Sequence, residues 1–205
     1  MKVCTDACLF GAWAAHDQEL LNAKSILDIG TGTGLLSLLL AQANPNATFT
    51  AVEIEQEAAT EAASNFTLSP WHEQLNLVHD TIQNFGNNTI TRYNVIITNP
   101  PFYEGDLKSP DENKNTAAHS TALPWNILIE NVAKLLTDGG SFFVLIRVTF
   151  RRVVNPISLP QFFLHACDAF VSTHVVIHPC KLHCHLLHHF AHWAARVKIL
   201  LHSFY

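Results

Sequence analysis

The chain has 205 residues, 48% of them apolar, which suits one domain of ordinary size rather than two. Its formal net charge is −5, with 12 lysines and arginines against 17 acids, so binding to nucleic acid through bulk positive charge is excluded and a local basic patch would be needed. Five cysteines without paired spacing argue against a disulfide framework and for a reducing cytoplasm. No signal peptide precedes Met1-Lys2 and no apolar run approaches about 18 residues, so neither secretion nor a membrane span is expected.

In chain order, Ala7 to Leu21 carries apolar residues at helical spacing, with Thr5 or Asp6 placed to cap the helix. Ser25-Ile26-Leu27-Asp28-Ile29 reads as a buried strand that enters Gly30-Thr31-Gly32-Thr33-Gly34 and then a helix over 35–44. Glycines at 30, 32 and 34 remove side chains where a ligand must approach the backbone. A dinucleotide fingerprint needs its third glycine at position 35, which is Leu35 here. The G-x-G-x-G spacing after Asp28 resembles instead motif I of S-adenosylmethionine-dependent methyltransferases.

A strand over 47–53 ends on Glu53, about where an acid should grip ribose hydroxyls; the plain alternative is a solvated charge at a strand end. A helix over 55–66 follows, ended by Asn65 or by Ser69-Pro70. A third strand, 74–79, closes on His79-Asp80. Asp80 stands where a carboxylate could accept the cofactor's adenine amino group, although an Asp capping a turn is common. Tyr93-Asn94-Val95-Ile96-Ile97-Thr98 is a fourth, buried strand. Leu123 to Leu136 is amphipathic, giving a helix over 123–137 closed by Asp138-Gly139-Gly140, and 141–148 a fifth strand. This alternation predicts an α/β fold: a doubly wound, mostly parallel sheet with helices on both faces.

The most informative stretch follows the fourth strand: Asn99-Pro100-Pro101-Phe102. Two prolines stop the ladder, since neither donates a backbone hydrogen bond. The loop is then rigid and lies at the carboxyl end of a strand, where open α/β sheets place their ligands. It can aim the Asn99 side-chain oxygen and the Pro100 carbonyl at the two hydrogens of a planar amino group. Phe102 is favoured to stack on the ring that carries it, with Tyr103 as the second candidate. An ordinary Pro-rich turn is the competing reading.

Taken together, Met1-Lys2-Val3-Cys4-Thr5-Asp6-Ala7, the LDIGTGTG loop and NPPF, in this order and spacing, resemble the bacterial valine-tRNA adenine N6-methyltransferases. The resemblance runs from Met1 to about Ile146 and includes Leu107 to Glu112 and Ala118-His119. It implies a Rossmann-like class I methyltransferase that uses S-adenosylmethionine on the adenine beside the anticodon. It implies further that Lys2, Thr5 and Asp6 border the cofactor pocket, that Asp28, the glycine turn, Glu53 and Asp80 bind the cofactor, and that Asn99, Pro100, Pro101 and Phe102 hold the base. The expected partner is tRNA, and no obligate protein partner is implied. The family usually carries an aromatic and basic extension before MKV, and starting at Met1 weakens the expectation of tight RNA binding.

Lys108 and Lys114 after NPPF, with Arg147, Arg151 and Arg152, are candidate basic patches, each also readable as a solvated face. His119 either touches RNA or caps a helix; His16, His72 and His79 read as incidental. Residues 1–148 form the methyltransferase core in this reading, and 149–205 an anomalous segment. Nine of the thirteen histidines fall in the last 45 residues, beside Cys167, Cys180 and Cys184. Three explanations compete. His178, Cys180, His183, Cys184, His188 and His192 could hold a metal, but the spacing matches no standard finger, and no metal is assigned. Leu186, Leu187, Phe190, Trp193, Ala194, Val197, Leu200, Leu201 and Phe204 could form one amphipathic helix. A shifted reading frame is the leading explanation, because composition changes where the resemblance stops; the sheet's last strands would then be incomplete. Two rival functions remain: methylation of a protein glutamine or a DNA adenine, and a catalytically dead remnant.

Overall fold

The fold was read from a computed structural model that describes residues 5–100, 123–149 and 196–204. Six strands form one sheet in the order β3-β2-β1-β4-β5-β6. They are β1 (Ser25–Ile29), β2 (Thr48–Glu53), β3 (Leu75–His79), β4 (Tyr93–Thr98), β5 (Leu136–Thr149) and β6 (Arg196–Phe204). Every neighbouring pair runs parallel. Parallel strands need a crossover. From β1 to β5 helices supply it: α3 (Leu35–Ala43), α4 (Gln56–Leu68), α5 (Ile82–Asn88) and α6 (Trp125–Leu135), preceded by α1 (Thr5–Ala14) and α2 (Gln18–Leu21).

The near-continuous apolar runs of the strands follow from burial on both faces. Ile26, Phe49, Val95, Ile97 and Phe143 pack with Phe10 and Ala14 of α1, Leu36 and Leu40 of α3 and Phe66 of α4. Their alternates Leu27, Val52, Ile96, Phe142 and Val144 pack with Ile82 of α5 and Leu128, Val132 and Leu135 of α6. The doubly wound expectation therefore holds, with helices on both faces. Polar side chains fix the amino ends of the central strands. Asn94 accepts from the backbone N–H groups of Lys24 and Ser25, at 2.9 and 3.1 Å. Asn44 donates to the carbonyls of Leu20 and Ala23, both at 2.9 Å.

Three local expectations need correction, and one open alternative is decided. The first helix does not run unbroken to Leu21; it stops at Ala14, and Asp17 starts α2 by accepting from the Glu19 N–H at 2.9 Å. α4 ends at the second of its two expected stops: it runs through Asn65 to Leu68, and Ser69 is its C-cap. Asp138-Gly139-Gly140 is not a helix stop, because α6 already ends at Leu135 and β5 begins at Leu136. The three residues instead sit where the β4–β5 register shifts, and Gly139 takes φ +75°, which glycine tolerates best. Finally, the residues at helical spacing near the carboxyl terminus do not all lie on one helix: 196–204 are β6, paired along β5. An open sheet edge of main-chain donors and acceptors outweighs an apolar spacing that a strand can carry equally well.

Candidate active site

The winding reverses between β1 and β4: the chain moves outward through β2 and β3, then returns to the other side of β1 for β4 and β5. This reversal opens a crevice beyond the carboxyl ends of the central strands. Register aligns those ends, pairing Ile29 with Val52 and Thr98, and Glu53 with His79. Gly30, Glu53, Asp80 and Asn99 therefore stand side by side on one edge, about 14 Å across at the usual strand spacing.

The glycine turn is held from below and from the side. Gly30, Gly32 and Gly34 have φ of +70°, +60° and +83°, all in the left-handed region. Asp28 is completely buried, and its Oδ2 accepts from the Thr31 hydroxyl at 2.6 Å and the Ser37 hydroxyl at 2.8 Å. Burial pushes its carboxyl up from 3.8 to about 6, partly offset by those two hydroxyl donors and slightly reinforced by the nearby Glu53 charge. Glu53 accepts from the Gly32 N–H through Oε2 at 2.8 Å and from the Glu55 N–H through Oε1 at 2.9 Å. Asn65 of α4 donates to the Thr33 carbonyl at 2.9 Å, and the Phe66 ring lies against Gly34. Asp80 directly precedes Thr81, the cap of α5: its Oδ1 accepts from the Thr81 N–H at 2.7 Å and from Asn84 Nδ2 at 3.1 Å.

Asn99 is half-buried and Pro100 buried, directly after β4. The structure thus brings Asp28, Gly30, Gly32, Gly34, Glu53, Asp80, Asn99 and Pro100 to one edge. Asp6 is buried at the start of α1, and Thr5 is exposed as that helix's first residue. Lys2, Pro101, Phe102, Tyr103, Lys108 and His119 lie outside the described residues, as do Lys114, Arg151, Arg152 and the six His and Cys residues of the proposed metal cluster. Among the described residues no group of three or more His, Cys, Asp or Glu side chains could hold a metal ion. Among them, too, no helix is long and apolar enough to cross a membrane. Sequence reading missed Thr31, Ser37, Asn65 and Thr98. Hydroxyls within ten residues of a buried Asp were the available signal for the first two; nothing local marks the others.

A parallel doubly wound sheet with a glycine turn at its reversal point defines the class, a Rossmann-like methyltransferase fold. The chain belongs to the methyltransferase small domain family, whose model matches residues 14–163. Over 148 residues it is 47% identical to the tRNA1(Val) (adenine(37)-N6)-methyltransferase of Dyadobacter fermentans, covering 72% of this chain and 59% of that one. The enzyme of the same name from Cytophaga hutchinsonii is 40% identical over 163 residues, 78% of this chain and 67% of that one. The Yersinia enterocolitica relative is 33% identical over 169 residues, 82% of this chain and 66% of that one. The chain thus spans about three fifths to two thirds of the length of these curated relatives. Among solved structures, an O-methyltransferase family protein from Burkholderia thailandensis matches with a TM-score of 0.51 at 13% identity, covering 74% of this chain and 41% of that one. That is a likeness of fold.

The residues present suit S-adenosylmethionine. Asp28 Oδ1 is buried without a partner among the described residues, an acceptor suited to a cationic donor. A Cβ placed on Gly30 would meet no atom within 4 Å, so the space before the turn is open. Glu53 is anchored by one N–H on each oxygen, which leaves lone pairs on both for a pair of hydroxyls.

Proposed function

We propose that the protein transfers a methyl group from S-adenosylmethionine to the exocyclic amino nitrogen of an adenine in tRNA, specifically the adenine beside the anticodon of a valine tRNA, in the cytoplasm. The observation that carries this reading is the placement of Asn99 and Pro100 as the first two residues beyond β4, level with the glycine turn beyond β1. The names of the relatives support the choice of tRNA and of its adenine.

An adenine amino group is a weak nucleophile because its lone pair is delocalised into the ring. In the proposed role, the Asn99 side-chain oxygen and the Pro100 carbonyl accept its two N–H bonds and favour a pyramidal nitrogen. The lone pair is then free to face the donor, and Phe102 holds the ring flat. When bound, S-adenosylmethionine supplies the electrophilic methyl. With it bound, the two oxygens would hold the amine for attack on that methyl, and the proton released on methylation would pass to water. No strong base is required, which suits a site whose key side chain is an amide. The protein contributes alignment and electrostatics. Asp28 and the glycine turn take the amino-acid end of the cofactor, Glu53 its ribose and Asp80 its adenine; Lys2, Thr5 and Asp6 border that pocket. Tyr103, Lys108 and His119 contact the RNA.

The test is methylation of unmodified tRNA with methyl-labelled cofactor, followed by mapping of the label. Label on the adenine N6 beside the anticodon of valine tRNA is expected. Label in release factor or DNA but not in tRNA overturns the substrate, and no binding of cofactor by calorimetry overturns the reading as a whole.

A further inference from the structure

We propose that Thr98 is a positioning residue that straps the amine-gripping loop to the glycine turn, an inference that rests on the methyl-transfer reading above. Its side chain is 1% exposed, and its hydroxyl donates to the Ile29 carbonyl at 2.8 Å. Ile29 is the last residue of β1, directly before Gly30; Thr98 is the last residue of β4, directly before Asn99. The two face each other across the ladder, at the point where the winding reverses and the segments beyond them part.

The ladder ends there for a chemical reason. Pro100 and Pro101 have no N–H to offer, so the backbone stops supplying donors just where the cleft begins. The Thr98 hydroxyl supplies one more. Packing alone does not call for it, since valine has nearly the same shape and the preceding residues are Ile96 and Ile97. The geometry points to a rigid distance between the two halves of the cleft. Methyl transfer needs that distance, because displacement of about 1 Å between reacting groups can cost about 10²-fold in rate.

Full-length Thr98→Val and Thr98→Ser variants separate this role from a merely structural one. The valine variant should expose the amide of Asn99 to hydrogen exchange about tenfold faster, keep its calorimetric Kd for S-adenosylhomocysteine within about threefold, and lower kcat on unmodified tRNA by about 10²-fold, in line with a misaligned reaction. The serine variant, which keeps the hydroxyl, should restore both exchange and kcat. Unchanged exchange and kcat in the valine variant overturns the strap. So does parallel loss of cofactor binding and turnover that serine fails to restore. A wild-type protein without cofactor affinity defeats the methyl-transfer reading instead, and the exchange comparison still decides the strap.

Discussion

On one side of the β1–β4 boundary, side chains are locked by donors within their own neighbourhood. Asp28 is held by Thr31 and Ser37, Glu53 by two backbone N–H groups, and Asp80 by Thr81 and Asn84. On the other side, Asn99 and Pro100 take their place from the end of β4 and from proline's fixed φ. The first region is a preformed receptor made of many small contacts; the second is a short rigid projection. Damage to the first should be graded and should show in stability or cofactor affinity. Damage to the second should be abrupt and should show in turnover.

Asn99→Ala is the sharpest way to break this contrast. Removal of one oriented acceptor at the reacting amine should lower kcat by about 10²- to 10³-fold, the usual size for a group aimed at a transition state. The Kd for S-adenosylhomocysteine should stay within about twofold. Single-turnover methylation beside calorimetry reads both numbers. Equal loss of binding and turnover would mean that the two regions are one.

The glycine turn offers a comparison within the first region. Gly34 has φ +83°, and a Cβ there would run into the Phe66 ring; Gly30 has φ +70° and open space in front of it. Gly34→Ala therefore carries left-handed strain and a clash, about 3 kcal/mol in urea unfolding, whereas Gly30→Ala carries only the strain, about 1 kcal/mol. The order reverses for the ligand: the added methyl at position 30 enters the open space, so Gly30→Ala should lose more cofactor affinity per unit of lost stability.

Asp28 gives a pH test with a definite sign. Its folded carboxyl is raised from 3.8 to about 6, so between those values the native state holds more protons than the unfolded chain. The fold therefore loses stability as pH rises through that window, approaching about 3 kcal/mol by pH 7. Asp28→Asn removes the titration. The unfolding free energy of the variant minus that of the wild type should climb by about 2 kcal/mol between pH 4 and pH 7, whatever its offset. A flat difference would show that Asp28 is not the buried acid described.

The strands and the glycine turn were legible because each is a local pattern: apolar runs of five or six residues, and glycines spaced by one. The expected bounds of β1 and β4 match the structure. Asn99 and Pro100 were legible for the same reason, since proline announces the end of a ladder. What escaped depends on partners far along the chain. α5 has seven residues and too little amphipathic pattern to stand out, although Thr81 caps it by accepting from the Asn84 N–H at 3.1 Å. β6 carries an apolar spacing that suits a helix as well as a strand, and only the free edge of β5 decides between them. Asn65 was one of two candidate ends for its helix, but the helix stops at Ser69 and the Asn65 amide is spent on a carbonyl 32 residues earlier.

That amide also gives the smallest of these effects. Asn65→Ala removes a donor to the Thr33 carbonyl, worth about 1 kcal/mol. Alanine is also the better helix former inside α4, returning about 0.6 kcal/mol. The two nearly cancel, so the urea midpoint should hardly move. Cofactor affinity has no such compensation: the turn that carries Gly32 and Gly34 loses one of its lateral ties, and the Kd for S-adenosylhomocysteine should rise by about three- to fivefold. Turnover at saturating cofactor should be unaffected, because Asn99 and the strand that carries it are untouched. A fall in kcat with unchanged Kd would place Asn65 with the projection rather than the receptor, and the division between the two regions would have to be redrawn.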